Sequence, residues 1–253
     1  MNGSSALWTR EELTGDVREI SFSFQLNGES VPGLLILPRE VDSAEKLPLV
    51  LIQHPGMSSK DDYFVRDVAI SWAKRGWACA GIDAPLHGDR DTHDPMALFR
   101  NRDRYPEIAA RFATEISATI DHLASTFAID TSRLGYVGYS LGSMLGVPAV
   151  ATDGRFRAAA FCLVGEGGLV GSVSEPESPV RTMTGVAVRV VGKLGDELIS
   201  RGATEALQAL IGGYNKLKKG DTVLYADLDY SEMKTAMRWL EERRGVKAVK
   251  LTF

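Results

Sequence analysis

The pentapeptide Gly138-Tyr139-Ser140-Leu141-Gly142 follows directly on the apolar run Leu134-Gly135-Tyr136-Val137. It reads as G-x-S-x-G at a strand-to-helix turn, the arrangement that lifts a serine hydroxyl out of a sheet and presents it to a carbonyl carbon. Glycine at both ends suits such a turn, because a side chain at either place would meet the neighbouring strand or helix. Three further clusters of polar residues sit just beyond apolar runs. His54-Pro55-Gly56-Met57-Ser58-Ser59 follows the run Pro48 to Gln53, and a glycine turn there can aim a backbone N–H at the serine. With the N–H of Leu141 it would form an oxyanion hole. His54 itself reads as a hydrogen-bonder that fixes this loop. Asp83-Ala84-Pro85-Leu86-His87-Gly88-Asp89-Arg90 follows the run Trp77 to Ile82, and His87, followed by glycine, reads as a group that stabilises a local turn. Asp196, in Gly192-Lys193-Leu194-Gly195-Asp196-Glu197-Leu198, lies after a late apolar run, where the acid of a Ser–Asp–His set falls in chain order, with Glu166 as the reserve.

These groups can meet only if the intervening elements form one sheet. The alternating runs Ile20 to Leu26 and Val31 to Leu37 flank Asn27-Gly28-Glu29 and predict an antiparallel hairpin. Pro48 to Gln53 is apolar throughout, as a strand covered on both faces requires. Further strands are expected at Trp77 to Ile82, Phe156 to Val164, Val186 to Val191 and Thr222 to Ala226. Helices are expected from about Tyr63 to Lys74, Glu107 to Ala124, Ala203 to Leu210 and Ser231 to Arg243, with Ile108, Phe112, Ile116, Ile120 and Leu123 on one face of the second. The small-residue helix after Ser140 should bend or end at Pro148. Alternating strands and helices demand a mostly parallel sheet with helices on both faces. The whole chain reads as one domain, 1–253. Segments 88–106 and 165–185 are candidate loops over the active face, and the charged part of the first is expected to be solvated.

Composition narrows the partners. The 253 residues carry 29 basic and 33 acidic side chains, a net charge of -4, which leaves no electrostatic footprint for nucleic acid or an anionic membrane. No run is apolar enough to span a bilayer, and Met1 to Ser5 lacks the features of a secretory signal. Cys79 and Cys162 lie in strand-like runs and read as reduced core thiols. A cytoplasmic protein with a small-molecule substrate or ligand is the expectation, with homodimerisation left open.

With His54-Pro55-Gly56, Asp83 to Gly88, Gly138 to Gly142 and Asp196-Glu197-Leu198 in hand, the chain resembles an α/β-hydrolase of the dienelactone-hydrolase-like, single-domain esterase and peptidase group. The likeness runs from Phe22 to about Arg243. It implies an α/β-hydrolase fold, Ser140 as nucleophile, Asp196 as acid, oxyanion donors at Leu141 and at Gly56 or its neighbour, and no organic cofactor. It also implies a histidine in the loop before the last helix, but that loop reads Ala226-Asp227-Leu228-Asp229-Tyr230. The four histidines are at 54, 87, 93 and 122, and Asp229 holds the position where the base belongs.

Serine is a weak nucleophile without a neighbouring base, and a carboxylate with a pKa of about 4 is a poor one. Three readings follow. Asp229 could face Asp196 so that like-charge repulsion raises one pKa into a useful range. His87 or His93 could reach in from the 88–106 segment. Or the pocket binds a small molecule without turning it over. Lyase or cyclase chemistry through Ser140 and a carboxylate is a further alternative to hydrolysis. A metal site is not expected, because Asp196 and Asp229 have no His or Cys partner nearby in sequence.

Overall fold

The computed structural model describes residues 7–41, 45–90, 94–164, 183, 185–191, 222–226 and 247–251. Eight strands form one sheet: β1 (Leu7–Thr14), β2 (Val17–Leu26), β3 (Glu29–Pro38), β4 (Leu47–Gln53), β5 (Ala78–Ile82), β6 (Ile129–Tyr139), β7 (Phe156–Cys162) and β8 (Ala187–Val191). Their spatial order is β1-β2-β3-β5-β4-β6-β7-β8. The first three pair antiparallel, β3 joins β5 antiparallel, and β5, β4, β6, β7 and β8 run parallel. Two more strands, β9 (Thr222–Ala226) and β10 (Lys247–Leu251), pair in parallel with each other.

The continuous apolar run in β4 is explained by what covers it. Leu49 and Leu51 enter the core packed beneath α3 (Tyr105–Thr126) and α4 (Leu141–Thr152), whereas Val50 and Ile52 face α1 (Tyr63–Ala73). Successive side chains of a strand point to opposite faces, so a strand sandwiched between helix layers has no position free for a polar residue. The β2–β3 hairpin turns on Asn27 and Gly28, at φ 53° and 82°, the paired left-handed residues that a two-residue hairpin needs.

Several elements differ from the sequence reading. Strand β1 was not expected: its side chains from Arg10 to Thr14 are exposed, so it shows no apolar alternation, and its charges suit a sheet edge. Strand β10 was also not expected. The 88–106 segment, expected as a loop, is not irregular throughout. It contains α2 (Ala97–Arg100) with Leu98 buried, then a 3₁₀ turn at Arg102–Arg104, and α3 already starts at Tyr105, with Pro106 in the first turn where its missing N–H costs nothing. Nor is its charge all solvated. Arg90 is buried and makes two hydrogen bonds to Glu115 of α3, at 3.0 and 2.6 Å. That partner is 25 residues away, beyond the reach of any local pattern.

Pro148 does not end α4, which continues to Thr152. A proline inside a helix removes the donor for the carbonyl four residues earlier, here that of Met144. The Tyr105 phenol donates to that carbonyl at 2.7 Å, so the acceptor orphaned by Pro148 is satisfied from α3. Tyr105→Phe should therefore cost about 1–3 kcal/mol, the penalty for a buried acceptor left without a partner, with the secondary structure retained. A urea titration with an unchanged slope and a lowered midpoint would show it; an unchanged midpoint would mean the carbonyl finds another donor.

Candidate active site

Ser140 stands between the last residue of β6 and the first of α4, with φ 48° and ψ -106°. A non-glycine residue at such angles is strained by about 1–3 kcal/mol and persists only where its surroundings over-determine it. They do so here. The Ser140 N–H donates to the Cys162 carbonyl at 2.8 Å, continuing the β6–β7 ladder by one residue. The Ser140 carbonyl accepts the N–H groups of Ser143 and Met144, both at 2.9 Å. The Ser143 hydroxyl is buried between the carbonyls of Gly138 at 2.5 Å and Cys162 at 2.8 Å, and the Tyr136 phenol donates to the Gly142 carbonyl at 2.6 Å.

Both motif glycines are required by space. A Cβ on Gly138 would lie 2.6 Å from the Gly142 backbone, and one on Gly142 would lie 2.6 Å from the Gln53 carbonyl. Gly142 also donates its N–H to the His54 carbonyl at 3.1 Å, which ties the serine turn to the loop after β4. Gly56 of that loop sits beside Leu141: a Cβ placed on Gly56 would be 3.9 Å from the Leu141 Cβ. The N–H groups of Gly142 and Ser143 are thus used within the fold, while that of Leu141, the first residue of the helix, has no carbonyl four residues earlier to take it. The structure therefore brings three of the expected site residues together: Ser140, Leu141 and Gly56. Asp196 and Asp229, and with them Glu166 and His93, lie outside the described residues.

Two of the remaining histidines lie at this edge of the sheet, and neither bonds to Ser140. His54 is buried. Its Nε2 accepts the Ala84 N–H at 2.9 Å, which leaves the proton on Nδ1 to be donated to the Pro55 carbonyl at 2.7 Å. Both nitrogens are occupied, and burial pushes its pKa down to about 4. It is a clamp between the loops after β4 and β5. His87 uses Nδ1 on the Pro85 carbonyl at 2.9 Å, while its buried Nε2 has no hydrogen-bond partner among the described residues and so does not reach the Ser140 hydroxyl. Burial lowers its pKa as well. His122 is on α3 with its ring 4.6 Å from that of Phe24. The α3 end that carries it leads into the start of β6, the edge of the sheet opposite the serine.

The loop after β5 is built on Asp83, whose buried carboxylate accepts the N–H groups of Lys60 and Asp89, each at 2.8 Å. Lys60 Nζ adds an ion pair to Asp83 at 3.3 Å and two shorter ones to Asp61 and Asp89, at 2.8 and 2.7 Å. Gly88, at φ +59°, packs on the Asp83 carboxyl with no room for a Cβ. Little of this could be foreseen. Lys60, Arg90, Glu115, Tyr105 and Ser143 position the site through contacts made across the fold, and no local motif marks them. Cys79 and Cys162 are both free thiols, raised by burial to about 12 and about 11.

No protein-family model matches the chain, and no curated protein matches it. Solved structures do. It is similar to a cold-adapted esterase from an Arctic intertidal metagenomic library, at 23% identity over 98% of this chain and 89% of that one, with a TM-score of 0.69. It is similar to a glucuronoyl esterase from Solibacter usitatus, at 15% identity over 85% and 74% of the two chains, with a TM-score of 0.60. A protein assigned as a dienelactone hydrolase from Klebsiella pneumoniae matches at 17% identity over 92% and 85%, with a TM-score of 0.56. The chain has the α/β-hydrolase fold, as its serine motif and the order of its elements implied. Among the described residues, no helix is long and apolar enough to cross a membrane.

The two buried imidazoles make stability depend on pH. An unfolded histidine takes up a proton at about 6.5, whereas folded His54 resists until about 4. Stability from this group is then complete above about pH 7 and is lost as pH falls through the interval to about 4, by on the order of 3 kcal/mol, with His87 acting in the same direction. Urea midpoints measured from pH 8 to pH 4 should decline over that window and decline less in His54→Asn; a flat profile would mean that the histidine is not held neutral.

Proposed function

We propose that this protein is a serine-dependent acyl hydrolase acting on a small carboxylic ester, thioester or related acyl compound. The observation that carries the reading is the backbone of Ser140, held at positive φ on top of the sheet with the Leu141 N–H and Gly56 beside it. Strain maintained by this many contacts at one residue is the expected mark of a reacting group. The Ser140 Oγ would attack the carbonyl carbon while the carbonyl π electrons move to oxygen, where the N–H groups at Leu141 and Gly56 stabilise the charge. Collapse of that intermediate expels the alcohol or thiol and leaves an acyl-serine, which water then hydrolyses. The esterases among the similar structures support the reaction class by likeness of fold. No organic cofactor takes part in this scheme.

The proton of Ser140 needs an acceptor, and the engagement of His54 and His87 elsewhere turns attention to the carboxylates. In this reading Asp229 takes the proton and passes it to the departing alcohol or thiol, and a like charge at Asp196 close to it would raise its pKa into the range for that work. The same observation on the histidines favours one second reading: a protein that binds a small molecule in this site and turns it over slowly or not at all.

Hydrolysis of a short activated ester by the parent chain, Ser140→Ala and Asp229→His separates the two. Catalysis by Asp229 predicts turnover in the parent that falls at least about a hundred-fold in Ser140→Ala. Absence of Ser140-dependent turnover in the parent, with activity appearing in Asp229→His, would overturn the hydrolase reading and leave the binding one.

A further inference from the structure

Three aromatic rings that acyl transfer does not use form a row at the edge of the sheet that carries Ser140. Tyr139, the residue before the serine, is half-buried with its ring 5.3 Å from that of Phe64. Phe64 is in turn stacked on Tyr63 at 4.2 Å with 29° between the planes. Tyr63 and Phe64 open α1, which follows β4 and so begins at the same edge of the sheet as the serine. The row runs from half-buried Tyr139 to Tyr63, which is 63% exposed. Met57, in the loop with Gly56, is 65% exposed and stands at φ +64°, an uncommon conformation for a side chain of that kind.

Packing does not require Tyr63. The helix is held to the sheet by Val65, Ala69 and Ala73, a stripe at four-residue spacing. An exposed tyrosine and methionine, on the edge of the sheet that carries the serine turn, are instead flat and adaptable surfaces suited to an apolar ligand. The stacked geometry selects a planar one, since a further ring can extend an offset stack. Charge selects too. Asp61 and Asp62 immediately precede Tyr63, and the neighbouring cation, Lys60, is buried and already held by Asp61, Asp83 and Asp89. Burial keeps the Tyr139 phenol protonated to about 12, so the inner end of the row is neutral.

We propose that Tyr63, Phe64 and Tyr139, with Met57 at the rim, form an aromatic subsite that takes an uncharged aryl group of the substrate. That the aryl group belongs to an ester rests on the hydrolase reading above; that the subsite binds aryl groups does not.

The test measures binding apart from turnover. Ligand-observed NMR titrations in a Ser140→Ala background would use methyl phenylacetate, methyl acetate and methyl (4-carboxyphenyl)acetate as probes. Methyl phenylacetate should bind more tightly than the other two. Adding Tyr63→Ala should weaken it by about three- to ten-fold, Tyr63→Phe should restore it, and methyl acetate should be indifferent to both changes. Equal binding of methyl phenylacetate and methyl acetate, or a Tyr63→Ala protein that binds methyl phenylacetate as the background does, would overturn the subsite. Hydrolysis of methyl phenylacetate by the chain with Ser140 intact reports separately on the reaction: aryl binding without turnover removes the hydrolase reading and leaves the subsite standing.

Discussion

The fold turns on the tight reversal at Ser140. A parallel strand must pass into a helix within one residue, and the backbone takes an angle that L-residues avoid. This is possible only where helix and strand approach closely enough for carbonyls and amides to reach one another. Gly138, Gly142 and Gly146 allow that approach: the first two let the turn close on itself and on Gln53, and the third accepts the Tyr136 ring. In return, the polar groups freed by the turn, other than the Leu141 N–H, are satisfied within the fold, by Tyr136, Ser143 and the carbonyls of Cys162 and His54. The helix behind the serine is buried around nearly its whole circumference, which is why its sequence is small and apolar with no polar face.

Around this turn, ion pairs set the positions of the loops. Lys60 and Asp83 join the loop after β4 to the loop after β5, and the Arg90 Nε donates to the Asp83 carbonyl at 2.9 Å. Arg90 then engages Glu115, which also pairs with Arg111, and Arg111 reaches Glu29 at the hairpin. Buried pairs of this kind add little net stability, because desolvation offsets most of the attraction. Their geometric consequence is larger, since a misplaced loop would leave a charge buried without its partner. The same region carries the buried polar atoms without partners among the described residues: both amide atoms of Gln53 and Nε2 of His87. Each costs free energy, and both residues lie at the carboxyl edge of the sheet, where such costs collect in enzymes.

The sequence was most informative where one residue type has one physical use. The G-x-S-x-G motif identified the serine turn, Asn27-Gly28 identified a hairpin, and the unbroken apolar run of β4 identified a strand covered on both faces. Each depends on local sterics or on the two-residue period of a strand. The edge strand β1 was missed because a strand exposed at a sheet edge has no apolar period to detect. Arg90 was read as solvated because its charge was visible and its partner was not. Pro148 was read as a bend or an end of the helix, since a sequence shows the donor that proline removes and not the tyrosine that replaces it.

The sequence by itself thus determined the class of fold, the position of the serine turn and the absence of a histidine beyond residue 122, because these follow from residue type, spacing and order. Tertiary structure alone decided that His54 and His87 are buried, with their pKa values pushed down by that burial, and that neither bonds to Ser140. It also decided that Gly56 lies against Leu141, and that Tyr63, Phe64 and Tyr139 form one row. Those outcomes depend on which strand lies next to which: the order β5-β4-β6 sets three loops from distant parts of the chain side by side, and contact distances of 3 to 6 Å between them have no counterpart in separation along the sequence.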